Sequence, residues 1–190
     1  MDLLGIHPSQ QKAAASLKLI AAVVKMRTTK TEEEIAELER AAEIGYEMHT
    51  TAMRLCRPGI TEQYIGGMVD GIANAYGCMV SFQTIATQHG EVMHGNPSPA
   101  KLEAGRLMLV GAETNENYCS DNTRTTPVSG VFTQKQKDIY NIVVECHDHV
   151  LEVAKPGVKW WDVHFAVCRI ITERLQQLGL MKGDVEESLK

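Results

Sequence analysis

A carboxylate framed by hydroxyls and a guanidinium is the feature of this sequence best suited to chemistry. It lies in Tyr118-Cys-Ser-Asp-Asn-Thr-Arg-Thr-Thr-Pro-Val-Ser-Gly130, where Asp121 stands between Ser120 and Asn122 and just ahead of Arg124. On an extended strand such a carboxylate can ligate a metal while its polar neighbours orient it by hydrogen bonds. The competing reading is a surface strand on which Asp121 pairs with Arg124, since most carboxylates are solvated. Upstream, His94 lies in a polar loop running from His89-Gly90 to Pro97-Ser98-Pro99, where solvent exposure competes with a role in a cleft.

Other reactive side chains are grouped less well. Glu145 and His149 have the spacing of one helix face, but no His-Glu-x-x-His pattern accompanies them. His147 and His149, two apart on a helix, point to different sides. An exposed helix face is expected there. Cys119 and Cys146 have no adjacent histidine base and are expected to be buried structural thiols. No Gly-rich phosphate loop occurs.

The elements that position these residues can be read from caps and periodicity. Residues 1–12 read as a tail, and Ala13 to Met26 as a helix with a broad apolar face. Thr31 with Glu34 forms a capping box, which also accounts for the acidic triplet Glu32-Glu33-Glu34 at the positive end of a helix. That helix runs to about Cys56 and is ended by Pro58-Gly59; Thr61 opens another, closed by Gly77. Met79 to Ala86, Arg106 to Val110 and Tyr118 to Val128 read as strands. Thr133 with Gln136 caps a third long helix through Ile139, Ile142, Cys146, Val150 and Val153, ended by Pro156-Gly157. A fourth spans Asp162 to Leu178. Trp160 is expected to cover the preceding turn and Trp161 to be exposed.

The two helical pairs are alike. His49 to Ile60 lies over His147 to Val158 without a gap, both ending in basic-Pro-Gly-aliphatic. Helix–turn–helix–strands is therefore written once in full and once without its strands. A helix stripe must bury against another layer, so the second pair lacks the sheet it should cover.

Bulk properties exclude several classes. The net charge is −5 at a pI near 5.8, which argues against a nucleic-acid footprint. Five cysteines without a CxxC pair read as reduced thiols of a cytoplasmic protein. Residues 1–11 show no secretory leader pattern. The apolar stretch at 13–24, interrupted by Lys18, is too short to span a bilayer.

Gly111-Ala-Glu113, the Tyr118–Gly130 stretch and Phe132-Thr-Gln-Lys-Gln-Lys-Asp-Ile-Tyr140 together resemble the Xaa-Pro aminopeptidase and prolidase group of pita-bread metallopeptidases. The similarity runs from about Lys30 to Asp184. It includes Ser81-Phe82, His94 after Gly90-Glu91, and the Lys155-Pro-Gly-Val158 turn. The resemblance implies an α+β pita-bread fold, its first half-repeat complete and its second cut off after the helix pair. Residues 1–30 would be the remnant of a preceding domain with its linker helix, and residues 31–190 a partial catalytic domain. It further implies two divalent ions, commonly manganese, held by two Asp, one His and two Glu. Their bridging water attacks the carbonyl preceding a proline in the second position of a peptide.

Carried over residue by residue, Asp121 matches the Asp that bridges both metals, and His94 a histidine that contacts substrate. The first family Asp is missing. The family pattern is an aliphatic run, Asp, any residue, then Gly-Ala-Glu, whereas Leu107-Met-Leu-Val110 runs directly into Gly111, leaving Leu109 in the Asp position. The family's metal His and two Glu fall after Gly183-Asp184, and Glu186 and Glu187 do not match them. A lone carboxylate does not hold a hard divalent ion, so this chain alone is expected to bind no stable metal pair and to be inactive. The alternatives are a non-catalytic pita-bread module that binds peptide or protein, or a prolidase, methionine aminopeptidase or creatinase relative. Ser-Asp-Asn-Thr-Arg-Thr resembles the proline-specific enzymes, and the oligomeric state stays open.

Overall fold

The computed structural model describes residues 5, 7–115 and 118–189, so most of the first six residues of the tail lie outside it. Contacts divide the chain into two units, one of residues up to Leu102 with Met108–Thr126, the other of Glu103–Leu107 with Pro127 onward. Among the described residues no helix is long and apolar enough to cross a membrane.

The first unit begins with α1, Leu17–Thr28, whose N-cap Ser16 accepts from the Leu19 amide. It starts later than the apolar run because Ser16 offers the cap. None of its residues is buried. Helix α2, Glu32–Leu55, carries both halves of the expected capping box: Thr31 N–H donates to Glu34 at 2.7 Å and Glu34 N–H to Thr31 at 3.3 Å. Helix α3, Glu62–Ala75, is capped by Thr61. The two pack together through Ile44, Met48 and Ala52 on one side and Ile65, Val69 and Ala73 on the other, all buried at i, i+4 spacing. Full burial of a side chain such as Met48 or Ile65 stabilises by about 1.5–3 kcal/mol each.

Four strands cover this pair: β1, Met79–Val80; β2, Ile85–Thr87; β3, Leu107–Asn115; and β4, Cys119–Pro127. Strand β3 pairs antiparallel with β1 and β2, setting Ile85 against Gly111 and Thr87 against Leu109, and it also pairs with β4. The single strand expected over Met79 to Ala86 is two. Between them Thr84, itself buried, leaves the ladder and donates its hydroxyl to Asp70 on α3 at 2.5 Å. Strand β3 also runs past Val110, because its ladder with Ile85 continues through Gly111.

Burial alternates with the pleat. Met108, Val110, Ala112, Ala86 and Ser120 are buried, whereas Asp121 and Thr123 are exposed. Gly45 shows how closely α2 meets the inner face: a Cβ there would lie 2.8 Å from the Ser120 hydroxyl.

In the second unit α4, Gln134–Val153, starts at a second capping box, Thr133 with Gln136, and packs on α5, Trp160–Gln177. Ile142, Cys146 and Val163 are buried. Arg174 donates both arms of its guanidinium to Glu145 at 2.6 and 2.8 Å, tying α5 to α4. Arg169 grips Glu186 on the short α6, Val185–Ser188.

The duplication read from sequence has the same backbone geometry in both copies. Cys56 N–H donates to Ala52 and Ala154 N–H to Val150, both at 2.9 Å, and the turn glycines Gly59 and Gly157 have φ of 89° and 91°. The coverings differ. Val143 and His147 occupy the places of Gly45 and His49, yet Val143 is 60% exposed and His147 is open to solvent. Trp160 does not cover its turn: it is 76% exposed, and Trp161 is 67% exposed while resting against Phe165 at 4.9 Å.

Candidate functional site

The face of the sheet turned away from α2 floors a cleft of about 560 Å³, walled by the loop that carries His94. Strand alternation selects its floor. Ser120 and Asn122 turn inward to α2, where both approach Gly45, so Asp121 and Thr123 turn into the cleft. In the same way Leu109 and Gly111 of β3 and Ile85 of β2 face it, while Met108, Val110 and Ala86 are buried. Phe82 and Met93 add apolar wall, and Gln83, His94 and Asn96 add polar groups. Thus Asp121, His94 and Leu109, singled out from sequence, line one cleft.

The alternative pairing of Asp121 with Arg124 is not found among the described residues. Three residues apart on a strand, the two side chains leave opposite faces, and Arg124 donates to the Thr123 carbonyl at 2.8 Å. Asp121 makes no hydrogen bond or ion pair among those residues and is exposed.

The loop carrying His94 is anchored by Glu62, a residue of the first turn of α3 that no motif in the sequence marks. It is 3% exposed and accepts from the Gln88 amide at 2.8 Å, the Ser98 amide at 3.2 Å and the Ser98 hydroxyl at 2.6 Å. Burial alone would raise its carboxyl pKa, but hydrogen bonds from Ser98, Gln88 and Thr87 outweigh it and hold the group below the usual range. One ionised side chain therefore pins both ends of the loop to the start of α3. Gly66 adds a steric seat, since a Cβ there would sit 2.8 Å from Cγ of Pro97.

A second residue missed in the sequence is His49. It is buried between α2 and the sheet, and neither ring nitrogen has a hydrogen-bond partner among the described residues. Burial lowers its pKa, and the charge of Arg124 lowers it further, against the favourable backbone of Asn122 and Ala112. The imidazole is thereby held neutral behind the strand that carries Asp121. The local sequence does not separate it from His147, its counterpart in the repeat; the strands that follow the first copy do.

The thiols divide by location. Cys56, Cys78 and Cys146 are buried, with Cys56 pushed up to about 11 by burial, but Cys119 is exposed, contrary to expectation. Its position on β4 is one step out of phase with buried Ser120, so the pleat turns it outward. Glu145, read as part of an exposed helix face, is instead engaged by Arg174, whose guanidinium holds the carboxyl below its usual range.

The sequence profile of metallopeptidase family M24 matches residues 36–188. The chain belongs to this family. It is 39% identical over 169 residues to the Xaa-Pro aminopeptidase of Escherichia coli strain K12, a match covering 87% of this chain and 38% of that protein. With Xaa-Pro aminopeptidase 1 of Streptomyces coelicolor it shares 33% identity over 171 residues, covering 86% and 35%. Among solved structures it is similar to a His-to-Ala variant of Escherichia coli aminopeptidase P, with a TM-score of 0.83 over 87% of this chain and 39% of that one, at 39% identity. It is also similar, at 39% identity, to a Glu-to-Ala variant of that enzyme in complex with substrate, with a TM-score of 0.81 over 85% and 38%. The M24 chain thus has the α+β fold of these proteins over part of their length, and spans well under half of each.

M24 metal chemistry sets a test for the cleft. Two adjacent divalent ions require several carboxylate and imidazole ligands converging on them. The described cleft offers one carboxylate, Asp121, and one imidazole, His94, with the leucine Leu109 on its floor. Among the described residues no three His, Cys, Asp or Glu side chains lie close enough to hold a metal ion. These donors do not fit a dinuclear centre.

Proposed function

We propose that this chain forms the first half of the substrate cleft of an Xaa-Pro aminopeptidase of the pita-bread type, and that the cleft receives a peptide with proline in the second position. His94 contacts the peptide, and Asp121 is the one carboxylate retained from the metal side. Residues 1–30 belong to a preceding domain and its linker, and α4–α5 begin the second half-repeat. In the complete enzymes of this type two divalent ions, commonly manganese, supply the attacking hydroxide; the donors of this cleft do not suffice for that, and the chain by itself is inactive. The observation that carries the reading is the convergence of Asp121 and His94, from a strand and a distant loop, in one cleft whose floor includes Leu109. The five unpaired cysteines are in keeping with a cytoplasmic protein.

Incubation with a fluorogenic X-Pro peptide in Mn²⁺ tests this. No turnover above the buffer rate is expected. Metal-dependent turnover that disappears in Asp121→Ala would show that the cleft commands more ligands than the donor count allows.

A further inference from the structure

We propose that Cys168, His164 and Cys146, at the packed seam of α4 and α5, form a thiol–disulfide exchange site for a low-molecular-weight disulfide, Cys168 attacking and Cys146 resolving. The site belongs wholly to the second unit and does not rest on the reading of the cleft. Sγ of Cys168 lies 3.5 Å from Nε2 of His164, one helical turn earlier on the same face. Cys168 is half-exposed and His164 is open to solvent, so a small disulfide can reach both. On the facing helix Cys146 is 6% exposed, and its sulfur meets the carbonyl oxygen of Val167, the residue before Cys168, at 4.0 Å. Burial above all raises the pKa of Cys146, with Glu145 and then Cys168 adding to it, so the two sulfurs feel each other's charge. Both thiols are free.

The two thiols differ in the way that exchange requires. Burial keeps Cys146 protonated and out of reach of a dissolved reagent, so it cannot open the reaction. Cys168 can, with an imidazole placed to take its proton. The Cys168 thiol gives its proton to His164 and its sulfur attacks R–S–S–R. The new S–S bond expels R–S⁻, which recovers that proton and leaves as R–SH. Cys146 then attacks the Cys168 sulfur of the mixed disulfide, and its proton passes to the second R–S⁻. The products are a Cys146–Cys168 bond and two R–SH, the protein losing the two electrons that the small disulfide gains. A thiol held on the facing helix acts at a high effective concentration, which makes up for its raised pKa. The bond joins α4 to α5 where Arg174 already grips Glu145, the residue before Cys146.

The test incubates the reduced, folded full chain with glutathione disulfide, blocks the remaining thiols with iodoacetamide, and maps digests by non-reducing mass spectrometry. A Cys146–Cys168 cross-link, two hydrogens lighter than the two free peptides, is expected. Cys146→Ser should arrest the reaction at a glutathione adduct on Cys168. His164→Gln should slow adduct formation at Cys168 about tenfold or more while leaving the rate at Cys119 unchanged. Circular dichroism establishes that each variant is folded, and the wild-type cross-link needs no variant. A Cys168 adduct that persists in the wild type without a cross-link overturns the resolving role of Cys146. An unchanged rate in His164→Gln overturns the assignment of the base. An unmodified Cys168 beside a normally modified Cys119 overturns the site altogether.

Discussion

Replacing Glu62 by alanine removes the acceptor that anchors both ends of the loop carrying His94. The Gln88 amide, on a residue 7% exposed, loses its partner at 2.8 Å, and the amide and hydroxyl of Ser98 lose theirs. An orphaned buried donor costs about 1–3 kcal/mol, while donors that water can reach cost much less. Half-buried Ser98 belongs nearer the second case. Relief of the carboxylate's own desolvation offsets part of the loss. The net destabilisation expected for the loop is about 1–2 kcal/mol, or roughly five- to thirtyfold in local opening. Native-state hydrogen exchange at Gln88 and Ser98 measures this directly, with urea unfolding as the global check.

The pH dependence gives that reasoning a second handle. The folded pKa of Glu62 lies below the ordinary glutamate value of 4.5, so its stabilisation is complete above that value and is lost as pH falls through the folded one. Wild type and Glu62→Ala should therefore converge in acid. Unchanged protection at Gln88 in the variant, or a difference that persists undiminished in acid, would refute the account.

Gly66→Ala sets a Cβ 2.8 Å from the Pro97 ring; the gain of about 1 kcal/mol in helix propensity is opposed by overpacking of about 1–3 kcal/mol, so peptide affinity should fall more than the unfolding free energy does. His49 has a depressed folded pKa, so stability should be level above the unfolded value near 6.5 and fall below it, by at most about 1.4 kcal/mol per pH unit. A His49→Leu variant, followed by urea unfolding across that range, should lose this acid limb, and retention of the limb would sink the assignment. With a chromogenic disulfide, exposed Cys119 should react first, half-exposed Cys168 later, and Cys56 and Cys78 only on unfolding; an unreactive Cys119 would contradict the pleat assignment on β4. Both tryptophans should emit as solvated indoles and be quenched by iodide, whereas a blue-shifted, protected spectrum would mean that something covers the start of α5.

Local chemistry announces itself in sequence, and these elements show which parts were local. Thr31 with Glu34 and Thr133 with Gln136 fixed two helix starts, because a capping box needs only neighbours along the chain. Gly59 and Gly157 fixed two turns because each adopts a positive φ that other residues resist. Even the placing of Leu109 in the cleft with Asp121 could be reasoned from the two-residue period of a strand.

What sequence could not decide depends on partners far apart in the chain. Glu62 reads as one more acid in a first helical turn until Gln88 and Ser98 fold back onto it. Thr84 lies in a break between β1 and β2 where periodicity would continue one strand, its hydroxyl given to Asp70 on α3, a partner distant in sequence. His49 and His147 hold equivalent places in a repeated motif, yet one is buried and the other solvated. The twelve-residue match between them encodes the helix and the turn in both copies, and strands follow the first copy in the sequence; which side chains of that helix the sheet buries, His49 and Gly45 among them, only the tertiary structure decides.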